Sequence, residues 1–157
     1  MKNIKEKAIY FDMDGTIANL YAVENWLPML RAYNPTPYEQ AKVMVNMSQL
    51  ARVLNQLKAK GYHIGIVSWL SKQPTREYDM AVRQAKLDWL EEMGFPYDFF
   101  HCVKYGTTKA NTIRKYMEID ETAILIDDND KVRNGWSLGE TINPTDTDII
   151  DFIRGLI

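Results

Sequence analysis

Short apolar runs alternate with helical segments along the chain, and this alternation restricts the fold more than any other feature of the sequence. Strands that alternate with helices form a parallel sheet whose two faces are covered by the helices. The sequence therefore predicts an α/β, Rossmann-like fold. The strands are predicted at 8–11 (AIYF), at 62–68, within YDFFHCVKY (97–105), within TAILIDDND (122–130) and within GETINP (139–144). The helices are predicted at 20–33, 38–60, 75–93, 109–118 and 146–157.

Length and composition indicate one domain, which we place at residues 1–157. A chain of 157 residues with 46% hydrophobic and 25% charged residues is ordinary for a globular domain. The formal net charge of −2 disfavours a nucleic-acid partner, although a local basic patch is compatible with it. No apolar run is long enough to cross a membrane, and MKNIKEKAIYF lacks the apolar core of a signal peptide. The single cysteine, Cys102, fits a reducing compartment, so we expect a cytoplasmic protein.

Polar residues follow three of the predicted strands. Asp12 and Asp14 come after the first strand, Ser68 ends the second, and Asp127 and Asp128 follow the apolar run of TAILIDDND. In open α/β sheets, ligands bind beyond the carboxyl ends of the strands. These residues are therefore expected to meet in one crevice.

The acids of this crevice suit a divalent cation. Carboxylates that lie close together repel each other, and a bound cation removes that repulsion. Magnesium prefers oxygen ligands and usually keeps one or two carboxylates together with water and substrate phosphate. Asp12 and one of Asp127 and Asp128 are suited to supply carboxylates, and Asp14 its backbone carbonyl. The predicted cofactor is Mg²⁺.

The remaining residues of the crevice suit a phosphate group. Ser68 offers a hydroxyl, and Gly15 allows backbone amides to approach closely. Lys109 begins a predicted helix, where its ammonium group and the free N–H groups favour an anion. Trp69 follows Ser68 and is suited either to stack on a base or to pack against a covering segment.

Four segments resemble the motifs of the haloacid dehalogenase (HAD) superfamily of phosphohydrolases. DMDGT (Asp12–Thr16) is similar to the DxDGT signature, and IVS (Ile66–Ser68) to the second motif, an apolar strand that ends in Ser or Thr. Lys109 stands where the third motif has a lysine, and LIDDND (Leu125–Asp130) resembles the acidic fourth motif. The four segments occur in the family's order, and the resemblance implies the HAD-type version of the predicted fold.

The resemblance also implies roles for these residues. Asp12 would be the nucleophile that forms an aspartyl-phosphate, and Asp14 the acid and base that serves the leaving group and then the water. The implied metal group is Asp12, Asp14, Asp127 and Asp128. The implied phosphate-binding group is Gly15, Thr16, Ser68, Trp69 and Lys109.

Two assignments stay open within this resemblance. The fourth motif offers both acids of its DD pair, and we favour Asp128 as the direct metal ligand, with Asp127 either direct or one layer behind. Lys104 competes with Lys109 for the third motif, and the predicted helix start favours Lys109.

The most detailed expectation concerns the substrate. A small cap within 20–37 carries aromatic residues and one arginine, which favours a nucleoside monophosphate among small phosphate esters. AKLDWLEEMGF (Ala85–Phe95) and LIDDN (125–129) are similar to the 5'(3')-deoxyribonucleotidase branch. Alternatives are a phosphatase for sugar phosphates or polynucleotide ends, a phosphotransferase, and a non-catalytic or receiver-like phosphate-binding module. The sequence gives no indication of the oligomeric state.

Overall fold

The computed structural model describes residues 7–72, 75–116 and 123–157. The strands are β1 (Lys7–Phe11), β2 (Ala18–Asn19), β3 (Lys42–Val43), β4 (Tyr62–Trp69), β5 (Phe99–Val103), β6 (Ile124–Ile126) and β7 (Thr141–Ile142). The α-helices are α1 (Trp26–Arg31), α2 (Thr36–Gln40), α3 (Met47–Ala59), α4 (Arg76–Met93), α5 (Lys109–Tyr116), α6 (Asp130–Asn134) and α7 (Ile149–Arg154), and Leu20–Ala22 forms a 3₁₀ helix.

Five strands form a parallel sheet in the order β5-β4-β1-β6-β7. The first strand lies at its centre, where Ile9 pairs with Ile64 of β4 on one side and Ile124 of β6 on the other. The predicted α/β, Rossmann-like fold is therefore confirmed. The central position of β1 puts the residues that follow it between those that follow β4 and β6.

The apolar core lies on both faces of this sheet, because successive side chains of a strand point to opposite faces. Phe11 packs on the face covered by α3 and α7, with Leu54 and Ile153. Tyr10 packs on the other face, with Ile113 of α5. Each helix layer therefore buries one side of the sheet, and the strand ends stay accessible at its carboxyl edge.

Two predicted helices are wrong in their extent. The segment predicted as one helix over 20–33 divides into the 3₁₀ helix and α1, with Asn25 between them in the left-handed region at φ 62°. The segment predicted as helix over 38–60 contains α2, then β3, then α3. The break occurs because β3 pairs with β2 in an antiparallel ladder, after which Asn46 caps α3 by accepting a hydrogen bond from Gln49 N at 3.1 Å.

The other predicted elements are confirmed; β1 and β4 each extend one residue beyond the predicted bounds, and β5, α4, β6, β7 and α7 are shorter than predicted. Helix α4 begins after Thr75, which caps it, and ends at Gly94 with φ 74°. The acids after β6 lie beyond the strand rather than in it. Residues 117–118 of the predicted helix 109–118, residue 122 of the predicted fourth strand, Pro74 before α4 and residues 1–6 of the predicted domain lie outside the described residues. None of the helices described in 7–72, 75–116 and 123–157 is long and apolar enough to cross a membrane.

Residues 18–43 form a covering segment that lies over the beginning of α4. It consists of the β2–β3 pair, the 3₁₀ helix, α1 and α2, and it contains the predicted cap 20–37. The hydroxyl of Tyr78 on α4 donates a hydrogen bond of 3.0 Å to the Asn34 carbonyl. An apolar cluster joins the segment to α4 through Leu20, Leu30, Tyr38, Tyr78, Val82 and Ala85.

Candidate active site

The candidate site lies at the carboxyl edge of the sheet, where β1, β4 and β6 end side by side. Asp12 directly follows β1, Asp127 directly follows β6, and Ser68 is the penultimate residue of β4. Because β1 hydrogen-bonds to both β4 and β6, the carboxyl ends of the three strands are held at a fixed spacing. This is the position at which open α/β sheets bind ligands.

Lys109 joins the first and last of these strand ends. Its Nζ donates hydrogen bonds to Asp12 Oδ1 at 3.0 Å and to Asp127 Oδ2 at 2.7 Å, and the residue is only 4% exposed. Burial alone would lower the pKa of Lys109, but the negative charges of Asp12 and Asp127 outweigh it and raise that pKa. Lys109 is therefore a fixed positive charge beside Asp12. Lys104, the alternative for the third motif, is exposed and lines a neighbouring cavity.

Three carboxylates converge next to this lysine. Asp12, Asp127 and Asp128 each offer an oxygen within 4.8 Å of the others. Burial, followed by the charge of Asp12, raises the pKa of Asp127 to about 6 and that of Asp128 to about 7. Carboxylates that resist ionisation in this way are stabilised by a cation, and an all-oxygen donor set fits a hard divalent ion such as Mg²⁺.

The two acids of the fourth motif differ in their partners. Asp127 uses both oxygens, since Oδ2 accepts from Lys109 and Oδ1 accepts from the Asn129 N–H at 2.9 Å. Asp128 interacts with the Asp12 carboxyl and has a long contact of 3.5 Å with the Thr16 hydroxyl, and it is less buried. The oxygens of Asp128 are therefore the more accessible to a cation.

Gly15 and Thr16 support this cluster from the turn after β1. Gly15 has φ 85°, and a Cβ at that position would lie 2.3 Å from Asp128 Oδ2, so only glycine leaves room for the carboxylate. Thr16 donates a hydrogen bond of 3.0 Å to Asp12 Oδ2. Neither residue lines the cavity described below; both position the acids instead.

Lys86 of α4 forms a second buried ammonium site that the sequence analysis missed. Its Nζ lies 2.9 Å from Asp14 Oδ2, 2.7 Å from Ser68 Oγ and 2.7 Å from the Trp69 carbonyl oxygen, and the residue is 1% exposed. Burial raises the pKa of Asp14, and the positive charge of Lys86 opposes that rise. Lys86 therefore links the end of β4 to the second acid after β1.

A signal for Lys86 exists in the sequence. Val82, Trp89 and Leu90 lie on the buried side of α4, and Lys86 falls at helical spacing on that same side. A lysine in an apolar stripe needs a buried partner, because an unpaired charge there is costly. The role of Lys86 could have been predicted by asking which carboxylate forms an ion pair with it.

A cavity of about 270 Å³ opens onto these groups. Its floor includes Asp12, Asp14, Lys109, Asp127 and Asp128, all of which the sequence analysis placed at the site. Ser68 is fully buried and does not line the cavity, so it reaches the site through Lys86. The covering segment, the end of β4 and the loop after β5 supply an aromatic wall of Tyr21, Trp26, Tyr38, Trp69 and Tyr105.

Trp69 presents a ring face to this cavity and not its N–H group. The indole Nε1 donates a hydrogen bond of 2.8 Å to the Thr107 carbonyl. The ring centroid of Trp69 lies 4.9 Å from that of Tyr105. Lys109 Nζ lies 5.4 Å from the ring centroid of Trp69. Trp69 is therefore suited to apolar or stacking contact with a ligand.

The architecture defines this chain as an α/β protein with an HAD-like fold. No protein-family model and no curated protein sequence matches the chain. Among solved structures, it is similar to a protein from Mesorhizobium loti described as HAD-like phosphatase, with a TM-score of 0.60 and 15% identity over 88% of this chain and 71% of that one. It is also similar to D,D-heptose 1,7-bisphosphate phosphatase from Burkholderia thailandensis, with a TM-score of 0.51 and 16% identity over 86% and 75% of the two chains. The HAD domain of effector protein Lem4 from Legionella pneumophila has a TM-score of 0.53 and 14% identity over 97% and 94%.

Proposed function

We propose that this chain is a Mg²⁺-dependent phosphatase of the HAD superfamily that hydrolyses phosphate monoesters through an aspartyl-phosphate on Asp12. The observation that carries the proposal is the setting of the Asp12 carboxylate. It lines a cavity, accepts a hydrogen bond from the buried ammonium of Lys109 at 3.0 Å, and lies in a cluster with two further carboxylates. The fold it shares with HAD-like phosphatases agrees with this proposal.

The charges of the site favour a divalent cation. Four carboxylates face two ammonium groups, those of Lys86 and Lys109, which leaves two formal negative charges before substrate binds. We assign Asp12 and Asp128 as carboxylate ligands, with the Asp14 carbonyl and with Asp127 beside them. When bound, Mg²⁺ supplies positive charge to the phosphoryl oxygens.

The reaction follows from the two acids after β1. An oxygen of Asp12 attacks phosphorus, a new P–O bond forms, and the ester P–O bond breaks. Asp14 gives its proton to the leaving oxygen; burial raises its pKa, which favours the protonated form that this step needs. In the second step Asp14 accepts a proton from water, which attacks the phosphorus of the aspartyl-phosphate and releases inorganic phosphate and the Asp12 carboxylate.

Lys109 and Lys86 hold the charges in place during both steps. Lys109 lies against Asp12 and next to the position where the phosphoryl group develops negative charge. Lys86 orients the Asp14 carboxylate and the Ser68 hydroxyl. Phosphoryl transfer depends mainly on such positioning and charge neutralisation.

The substrate class that we propose is a nucleoside monophosphate, as for a 5'-nucleotidase. It rests on the aromatic wall of the cavity, since bases stack on exposed aromatic faces. A volume of about 270 Å³ suits a small phosphate ester. The cytoplasmic location stays a prediction from the single cysteine.

A phosphatase assay tests the activity. Wild type should release phosphate from p-nitrophenyl phosphate and from nucleoside monophosphates in the presence of Mg²⁺. Asp12→Asn keeps the shape of the side chain and removes its charge, so turnover should collapse, whereas Asp88→Asn on the exposed side of α4 should retain it. Near-normal turnover by Asp12→Asn would contradict the proposed mechanism.

A further inference from the structure

A second cavity lies directly beside the candidate catalytic cavity. It has a volume of about 620 Å³ and is formed by the beginning of α4, by residues 70–72 after β4 and by residues 104–105 after β5. The two cavities share Leu70, Ser71, Lys72 and Tyr105 in their walls. The two cavities are therefore direct neighbours that meet at these four residues.

The second cavity is strongly cationic. Its wall contains Lys72, Arg76, Arg83 and Lys104 against one carboxylate, that of Asp79. This local excess contrasts with the formal net charge of −2 for the whole chain. The four cationic residues define what we call the cationic groove.

The cations of the groove are not joined to a carboxylate by any ion pair among the described residues. Within residues 7–72, 75–116 and 123–157, no ion pair joins any of the four cations to a carboxylate, although Lys58, Lys86, Lys109, Arg133 and Arg154 all form one. All four cationic residues are exposed to solvent. Their charges are therefore available to an anion that enters the groove.

Aromatic rings support two of these cations. Lys72 Nζ lies 4.8 Å from the ring centroid of Tyr105, and the Arg83 guanidinium lies 5.1 Å from that of Phe100. Such contacts restrict long side chains without neutralising their charge. Tyr105 also contacts Trp69, so the same ring joins the groove to the catalytic cavity.

We propose that the cationic groove binds a second phosphate group of the substrate, and that the preferred substrates are phosphate esters with a further phosphate on the same molecule. This inference rests on the proposed phosphatase function and deepens it, because it adds a second phosphate group to the proposed nucleoside monophosphate. Arginine and lysine together bind phosphate through charge-assisted hydrogen bonds. A substrate with one phosphate over Asp12 and another in the groove uses both cavities, whereas a monophosphate leaves the groove charges unpaired.

The test compares matched substrates and matched variants. The specificity constant kcat/KM is measured for adenosine 5'-monophosphate and adenosine 3',5'-bisphosphate, and for fructose 6-phosphate and fructose 1,6-bisphosphate. The groove variant is Arg76→Glu/Arg83→Glu, and the control is Arg52→Glu/Lys60→Glu, the same charge change on exposed residues at α3. Melting temperatures establish that both variants are folded.

We expect the ratio of kcat/KM for bisphosphate over monophosphate to fall at least about tenfold in the groove variant, which corresponds to about 1.4 kcal/mol. The control should keep the wild-type ratio within about twofold. If this ratio falls for the adenosine phosphates alone, the second phosphate belongs to a nucleotide. If it falls for the fructose phosphates alone, the second phosphate belongs to a sugar. An unchanged ratio in both pairs would overturn the proposal.

A binding measurement separates this inference from the proposed function. Calorimetric titration of adenosine 3',5'-bisphosphate into Asp12→Asn requires no turnover. Binding that weakens about tenfold when Arg76→Glu/Arg83→Glu is added to Asp12→Asn supports the groove even if the chain hydrolyses none of the esters. Phosphatase activity together with bisphosphate binding that is unaffected by the groove substitutions would overturn the groove and leave the phosphatase proposal in place.

Discussion

The ammonium group of Lys86 donates a hydrogen bond of 2.9 Å to the carboxylate of Asp14. This pair connects α4 to the turn after β1, and it is almost completely enclosed, with the two side chains 1% and 17% exposed. Removing one partner of a buried ion pair leaves the other uncompensated, at a cost of roughly 3–5 kcal/mol. The Lys86–Asp14 ion pair therefore stabilises the fold, and it also holds the proposed acid and base, Asp14, in place.

The first prediction concerns this pair. Lys86→Met should lower the free energy of unfolding by roughly 3 kcal/mol, because Asp14 loses its cation. It should also lower kcat more than it raises KM, because Asp14 is no longer oriented. The measurements are urea unfolding and phosphatase kinetics, with Lys60→Met as the exposed control.

A double variant distinguishes the pair from general packing. Adding Asp14→Asn to Lys86→Met removes the carboxylate that was left unpaired, so the two stability losses should sum to more than the loss in the double variant. Additive losses would show that Lys86 acts through packing and not through Asp14.

The second prediction concerns the metal. Mg²⁺ should raise the melting temperature of wild type, since a ligand that binds only the folded state stabilises it by about 2.7 kcal/mol at a hundredfold excess over Kd. Asp128→Asn should remove this shift, because Asp128 has the accessible oxygens of the cluster. Scanning calorimetry with and without Mg²⁺ measures the effect.

The neighbouring acids serve as controls for the metal. Asp130→Asn, which lies outside the cluster at the start of α6, should keep the wild-type shift. If Asp127→Asn removes the shift and Asp128→Asn retains it, the two ligand roles are reversed. A wild-type protein whose melting temperature and activity both ignore Mg²⁺ would rule out the metal assignment.

The third prediction concerns the aromatic wall. Trp69→Ala should raise KM for nucleoside monophosphates by about one to two decades, because base–aromatic stacking contributes roughly 1–3 kcal/mol. The KM for p-nitrophenyl phosphate should rise less. Tyr33→Ala, in the covering segment but outside the cavity, is the control. An equal rise in KM for all substrates would mean that Trp69 only supports the structure.

The fourth prediction concerns His101 on β5. Burial, followed by the charge of Arg83, lowers the pKa of His101 below its ordinary value, and its Nε2 is buried without a hydrogen-bond partner among the described residues. The folded state therefore holds this ring neutral, and the unfolded state binds a proton more readily. Stability from this group is present above the ordinary histidine pKa of about 6.5 and is lost as pH falls below it.

Replacement of the ring tests this pH dependence. The free energy of unfolding of wild type should decrease between pH 7.5 and pH 5.5 by more than that of His101→Phe, which keeps the ring and cannot titrate. His63→Phe, whose imidazole is also replaced, is the matched control. Identical pH dependence in wild type and His101→Phe would contradict the prediction.

Several parts of the site could be predicted from the sequence for a physical reason. The carboxyl ends of parallel strands meet at one edge, so Asp12, Asp127 and Lys109 could be grouped from strand order and one helix start. The structure brings these three together through hydrogen bonds of 3.0 and 2.7 Å. The fold class followed from the same alternation of strands and helices.

Other parts depend on contacts that no local pattern contains. The break within 38–60 arises because Lys42 pairs with Asn19, which is a tertiary contact between two very short strands. Lys86 lies on a helix whose periodicity looks ordinary, and its role depends on where Asp14 and Ser68 are in space. The cationic groove combines residues from three segments whose charges appear unremarkable one at a time.

The most direct test of the central claim is to trap the phosphoryl group on Asp12. Wild type and Asp14→Asn are quenched in acid during turnover of p-nitrophenyl phosphate with Mg²⁺, treated with hydroxylamine and digested with trypsin. Cleavage after Lys7 and Arg31 yields one peptide in which Asp12 and Asp14 are the only aspartates. We predict a hydroxamate at Asp12, more abundant in Asp14→Asn because the second step is slowed. A hydroxamate at Asp14, or an unmodified peptide from a sample that is releasing phosphate, would contradict the account.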